Sequence, residues 1–219
     1  MYNYILFDLD GTLTDPKLGI TSCVQYALDK FGIVEPDRDK LEPFIGPPLL
    51  DSFREFYGFD EDKAQQAVAY YRERFSTVGL FENEIYPGIP QMLKELQELG
   101  RHLAVASSKP TVFVTQILEH FGIFPYFEVI VGSELDGTRV KKEEVVEEAL
   151  RQLLCGGTVE KRRDIAMVGD RKYDIEGAKA HGTASIGVAY GYAAEGELEG
   201  AGADVIVKTV EELKKVLTS

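Results

Sequence analysis

Five short apolar runs, rich in β-branched or aromatic residues, constrain the fold of this chain more than any other feature of its sequence. They lie at residues 4–7, 103–106, 129–131, 165–168 and 184–188. Each run is almost continuously apolar, which is typical of strands covered on both faces. Amphipathic segments of helical length separate them, at residues 90–99, 112–121, 142–154 and 174–181. This alternation predicts an α/β fold with a doubly wound parallel sheet, extended by an edge strand at 205–207 and a closing helix at 210–217.

The interval between the first and second strands is too long for a simple crossover. Roughly 90 residues separate them, where a parallel connection needs only a dozen or more. Apolar residues recur at helical spacing within this interval, around 20–31 and again around 64–75. We therefore predict a core domain formed by residues 1–15 and 85–219, and a helical domain inserted at 16–84.

The charge and the composition exclude several classes of partner and location. The chain carries 37 acidic and 24 basic residues, a net charge of -13, and this field repels nucleic acids and anionic lipid surfaces. We expect no nucleic-acid partner and no membrane association. The first residues lack the basic segment of a signal peptide, so cytoplasm is the expected location. Cys23 and Cys155 show no metal-type spacing, and the sequence leaves the oligomeric state open.

Two aspartates directly follow the first predicted strand. Asp8 and Asp10 precede Gly11, and their spacing of two points both carboxylates the same way if the extended geometry continues. Two neighbouring acids repel, so they either share a cation or one of them has a raised pKa. A nucleophile and a general acid would be one division of roles. A plain Asp-Gly turn is the structural alternative.

Hydroxyl and ammonium groups follow the next two strands. Ser107, Ser108 and Lys109 end the second strand and offer donors suited to phosphate oxygens. Lys141 and Lys142 follow the third strand at the entry to a helix. Considered alone, the serines at 107 and 108 would be interpreted as a cap of the following helix. The two lysines alone would be interpreted as part of a solvated charged surface.

Two carboxylates follow the fourth strand. Asp170 and Asp174 lie four residues apart, close enough to converge if a helix begins between them. Carboxylate oxygens are suitable ligands for Mg²⁺. The structural alternative is a helix N-cap residue followed by an acid on the helix surface. All four groups occur at the carboxyl ends of predicted strands, where ligands bind in open α/β sheets. This joint placement predicts one site.

The motifs together resemble the haloacid dehalogenase superfamily over essentially the whole chain. They are Asp8-Leu9-Asp10-Gly11-Thr12, then a serine, then a lysine, then the Gly-Asp-x-x-x-Asp pattern at 169–174. The resemblance implies a Rossmann-like core with an inserted helical cap of the C1 type. The segments 46–49, 108–110 and 136–139 are similar to those of bacterial phosphoglycolate phosphatases and 5'-nucleotidases.

The resemblance also implies a role for each matching residue. Asp8 corresponds to the nucleophile that forms an aspartyl-phosphate, and its carboxylate also binds Mg²⁺. Asp10 corresponds to the general acid and base, and its main-chain carbonyl meets the metal. Ser107 corresponds to the hydroxyl that holds the phosphoryl group, and Lys142 corresponds to the lysine that neutralises its charge. Lys142 is preferred to Lys141 for its spacing to Val145 and Val146.

Further residues are expected to bind the metal or the substrate. Asp170 corresponds to the remaining metal ligand, with Asp174 supporting it directly or through water. The residues next to the motifs that we expect to contact substrate are Gly11, Thr12, Ser108 and Lys109. In the insert, Arg54 is expected to face the core with segment 44–49 and to bind a carboxylate or second phosphate of the substrate. A surface salt bridge to Glu55 or Asp51 is the alternative for Arg54.

The expected activity is hydrolysis of a phosphomonoester on a small metabolite, with Mg²⁺ as cofactor. Phosphoglycolate and nucleoside monophosphates are the substrate classes that the resemblance implies. A sugar phosphomutase of the β-phosphoglucomutase type shares the core motifs and remains open. A non-catalytic metal- or partner-binding module with the same fold is the alternative from another class.

Overall fold

The computed structural model describes residues 2–154 and 164–219. The chain divides into two compact units, one formed by Met1–Asp15 with Ile85–Ser219 and the other by Pro16–Glu84. The strands are β1 (Tyr4–Phe7), β2 (Thr14–Asp15), β3 (Glu84–Ile85), β4 (His102–Pro110), β5 (Val129–Ser133), β6 (Ile165–Gly169), β7 (Ala184–Val188) and β8 (Val205–Val207). The helices are α1 (Lys17–Asp29), α2 (Leu49–Tyr57), α3 (Glu61–Phe75), α4 (Ile89–Glu98), α5 (Thr111–His120), α6 (Lys142–Leu153), α7 (Lys172–Ala180), α8 (Glu197–Ala201) and α9 (Val210–Thr218).

The larger unit is built on a six-stranded sheet in the order β5-β4-β1-β6-β7-β8. Every adjacent pair is parallel, and Phe7 at the end of β1 lies between Val105 and Val168. This arrangement confirms the predicted α/β, doubly wound, parallel fold. From central β1 the chain builds β4 and β5 on one side and then crosses to β6, β7 and β8 on the other. Such a reversal of strand order opens a crevice at the carboxyl ends of the central strands, and ligands bind there.

The core of this unit is formed by apolar side chains of the sheet and of the helices that cover it. On α6, Val145, Val146 and Ala149 are fully buried. They belong to one cluster with residues of four strands, among them Leu6, Ala104, Val131 and Met167. Burial of a strand on both faces explains why the strands are continuously apolar in sequence.

Two element boundaries differ from the sequence-based expectation. Strand β4 continues to Pro110, beyond residue 106, and its pairing with β5 shifts register between Ala106 and Pro110. Helix α7 begins at Lys172 and not at Asp174. The Asp174 carboxylate accepts a hydrogen bond from the Arg171 main-chain N–H at 3.0 Å, which stabilises the earlier start.

The smaller unit is helical, as the apolar periodicity of the insert indicates. It contains α1, α2 and α3 together with 3-10 turns at Arg38–Phe44 and Gly79–Phe81. Ile20, Val24 and Leu28 of α1 are buried, as is Tyr71 of α3. No helix within residues 2–154 and 164–219 has the length and hydropathy of a membrane span. Cys23 in this unit is buried, with its Sγ atom 3.3 Å from Nη1 of Arg74, and Cys155 lies outside the described residues.

Candidate active site

The turn after β1 holds the first two aspartates of the site. The Asp8 main-chain N–H donates to Val168 O at 2.9 Å, so β1 remains paired with β6 up to this residue. The chain then turns sharply, and the Gly11 N–H donates to Thr14 O at 2.7 Å. Gly11 has a φ of 76°, a left-handed conformation that glycine adopts without a steric cost. The Asp-Gly turn therefore exists, and it carries both carboxylates of the motif.

Gly11 also allows the turn to approach the end of β6 closely. A Cβ atom at position 11 would lie 2.1 Å from Oδ2 of Asp170. No other residue type fits that distance without displacing the carboxylate. The structure therefore places Gly11 against Asp170. The contact with substrate that the sequence predicts for Gly11 stays a prediction.

Three carboxylates converge at the carboxyl ends of β1 and β6. Oxygen atoms of Asp8, Asp170 and Asp174 all lie within 4.8 Å of one another, and all three residues are buried. Burial raises the pKa of Asp170 well above its usual value, and the neighbouring charges of Asp174 and Asp8 raise it further. One Asp170 oxygen, Oδ1, has no hydrogen-bond partner among the described residues. Buried carboxylates this close together repel one another, and a bound cation would stabilise their charged forms.

Lys142 supplies one positive charge to this cluster. Its Nζ atom lies 2.9 Å from Oδ2 of Asp8 and 2.8 Å from Oδ1 of Asp174, and it donates to Ala106 O at 3.1 Å. Burial by itself would lower the pKa of Lys142, but Asp174 and Asp8 outweigh it and raise the pKa. Lys141 is exposed at the start of the same helix. Of the two candidate lysines, the structure brings Lys142 to Asp8.

Asp10 is paired with a different lysine. Lys109 Nζ donates to Oδ1 of Asp10 at 2.6 Å, and both side chains are almost fully buried. Burial raises the pKa of Asp10, while the Lys109 charge opposes that increase. The Asp10 carboxylate does not belong to the three-carboxylate cluster. The metal contact that the resemblance implies for Asp10 involves its main-chain carbonyl, which takes no part in the pairing with Lys109.

The hydroxyl residues occupy two different environments. Ser107 is 2% exposed at the bulge of β4, where its Oγ accepts a hydrogen bond from the Lys109 N–H at 3.4 Å. Ser108 is only partly buried, and its carbonyl accepts a hydrogen bond from Ser133 at 2.7 Å. Thr12 is fully buried, and within the described parts of the chain its hydroxyl has no hydrogen-bond partner. The Thr12 carbonyl, in contrast, accepts from the Tyr190 hydroxyl at 2.9 Å.

Arg54 belongs to the helical unit and is half exposed. Its guanidinium lies 3.2 Å from the Glu61 carboxylate. The alternative named for Arg54, a surface salt bridge, is therefore present, but its partner is Glu61 on the next helix, α3, and not Asp51 or Glu55. Arg54 lies near the carboxyl end of α2, so its partner is the residue at the start of α3 that the intervening turn brings close. A role of Arg54 toward substrate stays a prediction.

Sequence reasoning missed one segment of the site, Tyr190 to Tyr192. These residues follow β7, and the sequence leaves open that such tyrosines line an interface or a cleft, with packing as the expectation. In the structure, the Tyr192 N–H donates to Oδ2 of Asp170 at 2.7 Å. The signal in the sequence was a glycine between two tyrosines just after a fifth strand, at the same edge of the sheet as the other motifs.

A hard divalent cation fits the donor atoms of this site. The three converging groups are carboxylates, and one buried oxygen of Asp170 lacks a partner among the described residues. Mg²⁺ prefers oxygen ligands and commonly binds through one or two carboxylates while it keeps water and phosphate oxygens. Asp8, Asp170 and Asp174 are therefore the residues that could hold such an ion.

Comparison with known proteins places this geometry in a family. Residues 5–188 match the model of the haloacid dehalogenase-like hydrolases. A 5'-nucleotidase of Pseudomonas aeruginosa is 52% identical over 197 residues, which are 90% of this chain and 87% of the relative. The tyrosine-protein kinase PtkA of Mycobacterium tuberculosis is 38% identical, covering 97% of this chain and 72% of that protein. A phosphoglycolate phosphatase of Vibrio parahaemolyticus is 30% identical, covering 97% and 95% respectively.

Solved structures give the same result. A crystal structure of a predicted phosphatase from Clostridium acetobutylicum superposes with a TM-score of 0.94 at 50% sequence identity, covering 100% of this chain and 99% of that one. The similarity extends over both units. The chain belongs to the haloacid dehalogenase-like hydrolase family and to the phosphatases within it.

Proposed function

We propose that this phosphatase is a Mg²⁺-dependent phosphomonoester hydrolase that acts through an aspartyl-phosphate on a small phosphorylated metabolite. The observation that carries the proposal is the pairing of Asp8 with Lys142 and of Asp10 with Lys109, at 2.9 and 2.6 Å. Two carboxylates of the same turn thus have separate cationic partners. Phosphoryl transfer depends mainly on positioning and on neutralisation of charge, and this arrangement supplies both.

In the first step Asp8 is the nucleophile. A carboxylate oxygen of Asp8 attacks phosphorus, the ester P–O bond breaks, and the leaving oxygen takes a proton from Asp10. Burial raises the pKa of Asp10, which favours the protonated form that this step requires. Lys142 offsets the repulsion between the Asp8 carboxylate and the anionic ester.

In the second step Asp10 acts as the base. It removes a proton from a water molecule whose oxygen attacks phosphorus, and the bond between phosphorus and the Asp8 oxygen breaks. Inorganic phosphate leaves, and Asp8 is again a carboxylate. The covalent intermediate divides a difficult hydrolysis into two easier displacements. Ser107, buried at the end of β4, is the hydroxyl we assign to holding the phosphoryl group.

Asp8, Asp170 and Asp174 would hold Mg²⁺, with the Asp10 carbonyl as a further ligand. When bound, the ion supplies positive charge that offsets the repulsion between nucleophile and phosphate. The chain has a net charge of -13, so a phosphate needs a local reversal of sign in order to bind. Lys142 and Lys109, both near the aspartates of the turn, contribute to that reversal.

The relatives support phosphoglycolate and nucleoside monophosphates as substrate classes. Their names are 5'-nucleotidase and phosphoglycolate phosphatase. We assign selection among such substrates to the helical unit, residues 16–84, with Arg54 and segment 44–49 as its candidate contacts. Gly11, Thr12, Ser108 and Lys109 are the candidate contacts of the larger unit.

The first experiment uses p-nitrophenyl phosphate, with Mg²⁺ and with EDTA. We expect turnover only with Mg²⁺, and we expect Asp8→Asn to lower kcat by about 10⁴-fold or more, as loss of a nucleophile does. Asp62→Asn, a change of the same kind on the exposed surface of α3, is the matched control. Turnover in EDTA, or turnover that survives Asp8→Asn, would contradict the mechanism.

A substrate panel then separates the candidate classes. We expect release of inorganic phosphate from phosphoglycolate or a nucleoside monophosphate, and no isomerisation of hexose phosphates. Isomerisation would instead favour the phosphomutase. Arg54→Ala is expected to lower kcat/KM for the preferred substrate, while Glu61→Ala, which removes only the ion-pair partner, leaves it unchanged. Equal effects of both variants would assign Arg54 a structural role.

One observation favours a second candidate. PtkA of M. tuberculosis, a relative with 38% identity, is named a tyrosine-protein kinase. The same aspartate would then accept a phosphoryl group from ATP and pass it to a tyrosine hydroxyl. Incubation with labelled ATP and a tyrosine-containing copolymer tests this activity, with Asp8→Asn as the control. Label transferred to the polymer by both proteins alike would come from a contaminant.

A further inference from the structure

The segment Tyr190 to Tyr192 contacts two motifs that are far apart in sequence. It leaves the carboxyl end of β7 and passes over the turn that follows β1 and the loop that follows β6. Its tyrosine at 190 contacts Thr12, and its tyrosine at 192 contacts Asp170. None of the motifs identified from the sequence includes this segment.

The contact with Asp170 involves only one of the two carboxylate oxygens. The Tyr192 main-chain N–H donates to Oδ2 at 2.7 Å, whereas Oδ1 has no hydrogen-bond partner among the described residues. Asp170 itself is 0% exposed. A buried carboxylate held through one oxygen presents the other in a fixed direction, which is how outer-shell groups orient metal ligands.

Two side chains attach the segment firmly to the larger unit. The Tyr190 hydroxyl donates to Thr12 O at 2.9 Å, and the Tyr190 ring packs edge-on against Tyr86 at a centroid distance of 5.0 Å. The Tyr192 hydroxyl donates to the carboxylate of Asp15. The main-chain N–H that meets Asp170 therefore lies between two anchored tyrosine rings.

Gly191, between them, has no room for a side chain. A Cβ atom there would lie 2.4 Å from both Asp170 Cβ and Gly11 O. Gly191 does not adopt the left-handed conformation, so its backbone would accept alanine. Glycine is required here because two loops of the site approach each other closely, and not because of the backbone dihedral angles.

We propose that Tyr190 to Tyr192 is a positioning segment that aims Oδ1 of Asp170 at the divalent cation. The proposal rests on the proposed function, because it assigns the metal to Asp170. The segment touches neither the reacting atoms nor the substrate in this assignment. It acts through Asp170, and its effect is expected on metal affinity first.

The direct test measures Mg²⁺ binding by isothermal titration calorimetry without substrate. Gly191→Ala displaces the Asp170 side chain, and Tyr190→Phe removes only the anchoring hydroxyl. We expect the Kd for Mg²⁺ to increase by about 10-fold or more for Gly191→Ala, the range typical for loss of an outer-shell partner, and less for Tyr190→Phe. Should Gly191→Ala not fold, Tyr190→Phe decides the question.

Two control variants match these changes. Gly200→Ala adds a methyl group at a glycine where nothing lies within 4 Å. Tyr26→Phe removes a hydroxyl that donates to Glu73 at 2.7 Å in the helical unit. Both are expected to bind Mg²⁺ as the wild type does.

Kinetics distinguish positioning from a loss of stability. We expect the Mg²⁺ concentration for half-maximal rate to rise in both segment variants, while kcat recovers at saturating Mg²⁺. Because a cation that binds only the folded state would also restore a smaller folded fraction, circular dichroism measures that fraction at each Mg²⁺ concentration. A higher half-maximal Mg²⁺ concentration that disappears once the rate is corrected for the folded fraction would overturn the proposal. If the wild type binds Mg²⁺ and both segment variants bind it with the same Kd, the positioning role alone is overturned. A wild-type protein that binds no Mg²⁺ would overturn the metal site of the proposed function as well.

Discussion

Nζ of Lys109 lies 2.6 Å from Oδ1 of Asp10, and the two side chains are only 7% and 10% exposed. Burial and the lysine act in opposite directions on the pKa of Asp10: burial raises it and Lys109 lowers it. An acid that must both donate and accept a proton works best when its pKa is near the working pH. The lysine thus limits how far burial can raise that pKa.

Replacement of Lys109 by methionine tests this balance. Without the cation, burial acts unopposed and the pKa of Asp10 rises further. In the proposed second step Asp10 has to be ionised in order to accept a proton from water, so the acid limb of the kcat profile is expected to move to higher pH by about one unit or more. Lys94→Met, at an exposed lysine 3.8 Å from Glu98, is the control. An unshifted acid limb would show that Lys109 does not control Asp10.

Lys142 and Lys141 form a natural pair for mutagenesis. Lys142→Met leaves the buried carboxylates of Asp8 and Asp174 without their ammonium, and loss of one member of a buried ion pair costs about 3–5 kcal/mol. We expect a loss of this size in urea denaturation with EDTA, and partial recovery with Mg²⁺. The exposed neighbour Lys141→Met should change stability by no more than about 0.5 kcal/mol. Equal behaviour of the two variants would remove Lys142 from the site.

The metal-free protein is expected to lose stability as the pH rises from 5 to 8. Burial raises the pKa of both Asp170 and Asp174, so the folded state holds protons that the unfolded state has released above about pH 4. The folded state binds more protons, and therefore the free energy of unfolding falls with increasing pH. Carboxylates with lowered pKa values, such as Glu148 at about 2, are ionised in both states over most of this range.

Urea denaturation at several pH values in EDTA measures this slope. Mg²⁺ is expected to reduce it, because the cation binds only the folded state and takes the place of the protons. Asp170→Asn should flatten the slope in EDTA, since it removes a group with a strongly raised pKa. A metal-free wild type that is most stable at pH 8 would contradict the prediction.

Gly11→Ala and Gly122→Ala separate backbone strain from close packing. Both glycines are left-handed, with φ of 76° and 66°, and alanine there costs about 1–2 kcal/mol. Only at Gly11 would the new Cβ collide with Asp170, since nothing lies within 4 Å at Gly122. We expect Gly11→Ala to be the less stable in thermal denaturation, and to be the one that binds Mg²⁺ more weakly. Equal losses would mean that strain accounts for both.

Much of the fold and part of the site could be predicted from local patterns. The apolar runs coincide with strands because a strand buried on both faces has to be apolar throughout. Asp8, Ser107 and Asp170 were located because parallel strands bring their carboxyl ends to one edge. Helix α7, in contrast, begins before its predicted first residue, since a carboxylate in its first turn accepts a hydrogen bond from the preceding main chain.

The sequence by itself determined the parallel sheet and the edge at which the acidic, hydroxyl and basic side chains collect, because these follow from hydropathy and motif order. Only the tertiary structure decided which charges meet. Lys109 reaches Asp10 across a separation of 99 residues, a pairing that the sequence did not predict, and the tyrosine segment after β7 reaches Asp170. Such contacts depend on the packing of whole strands and helices against one another, to within the length of a hydrogen bond, and no local pattern encodes that distance.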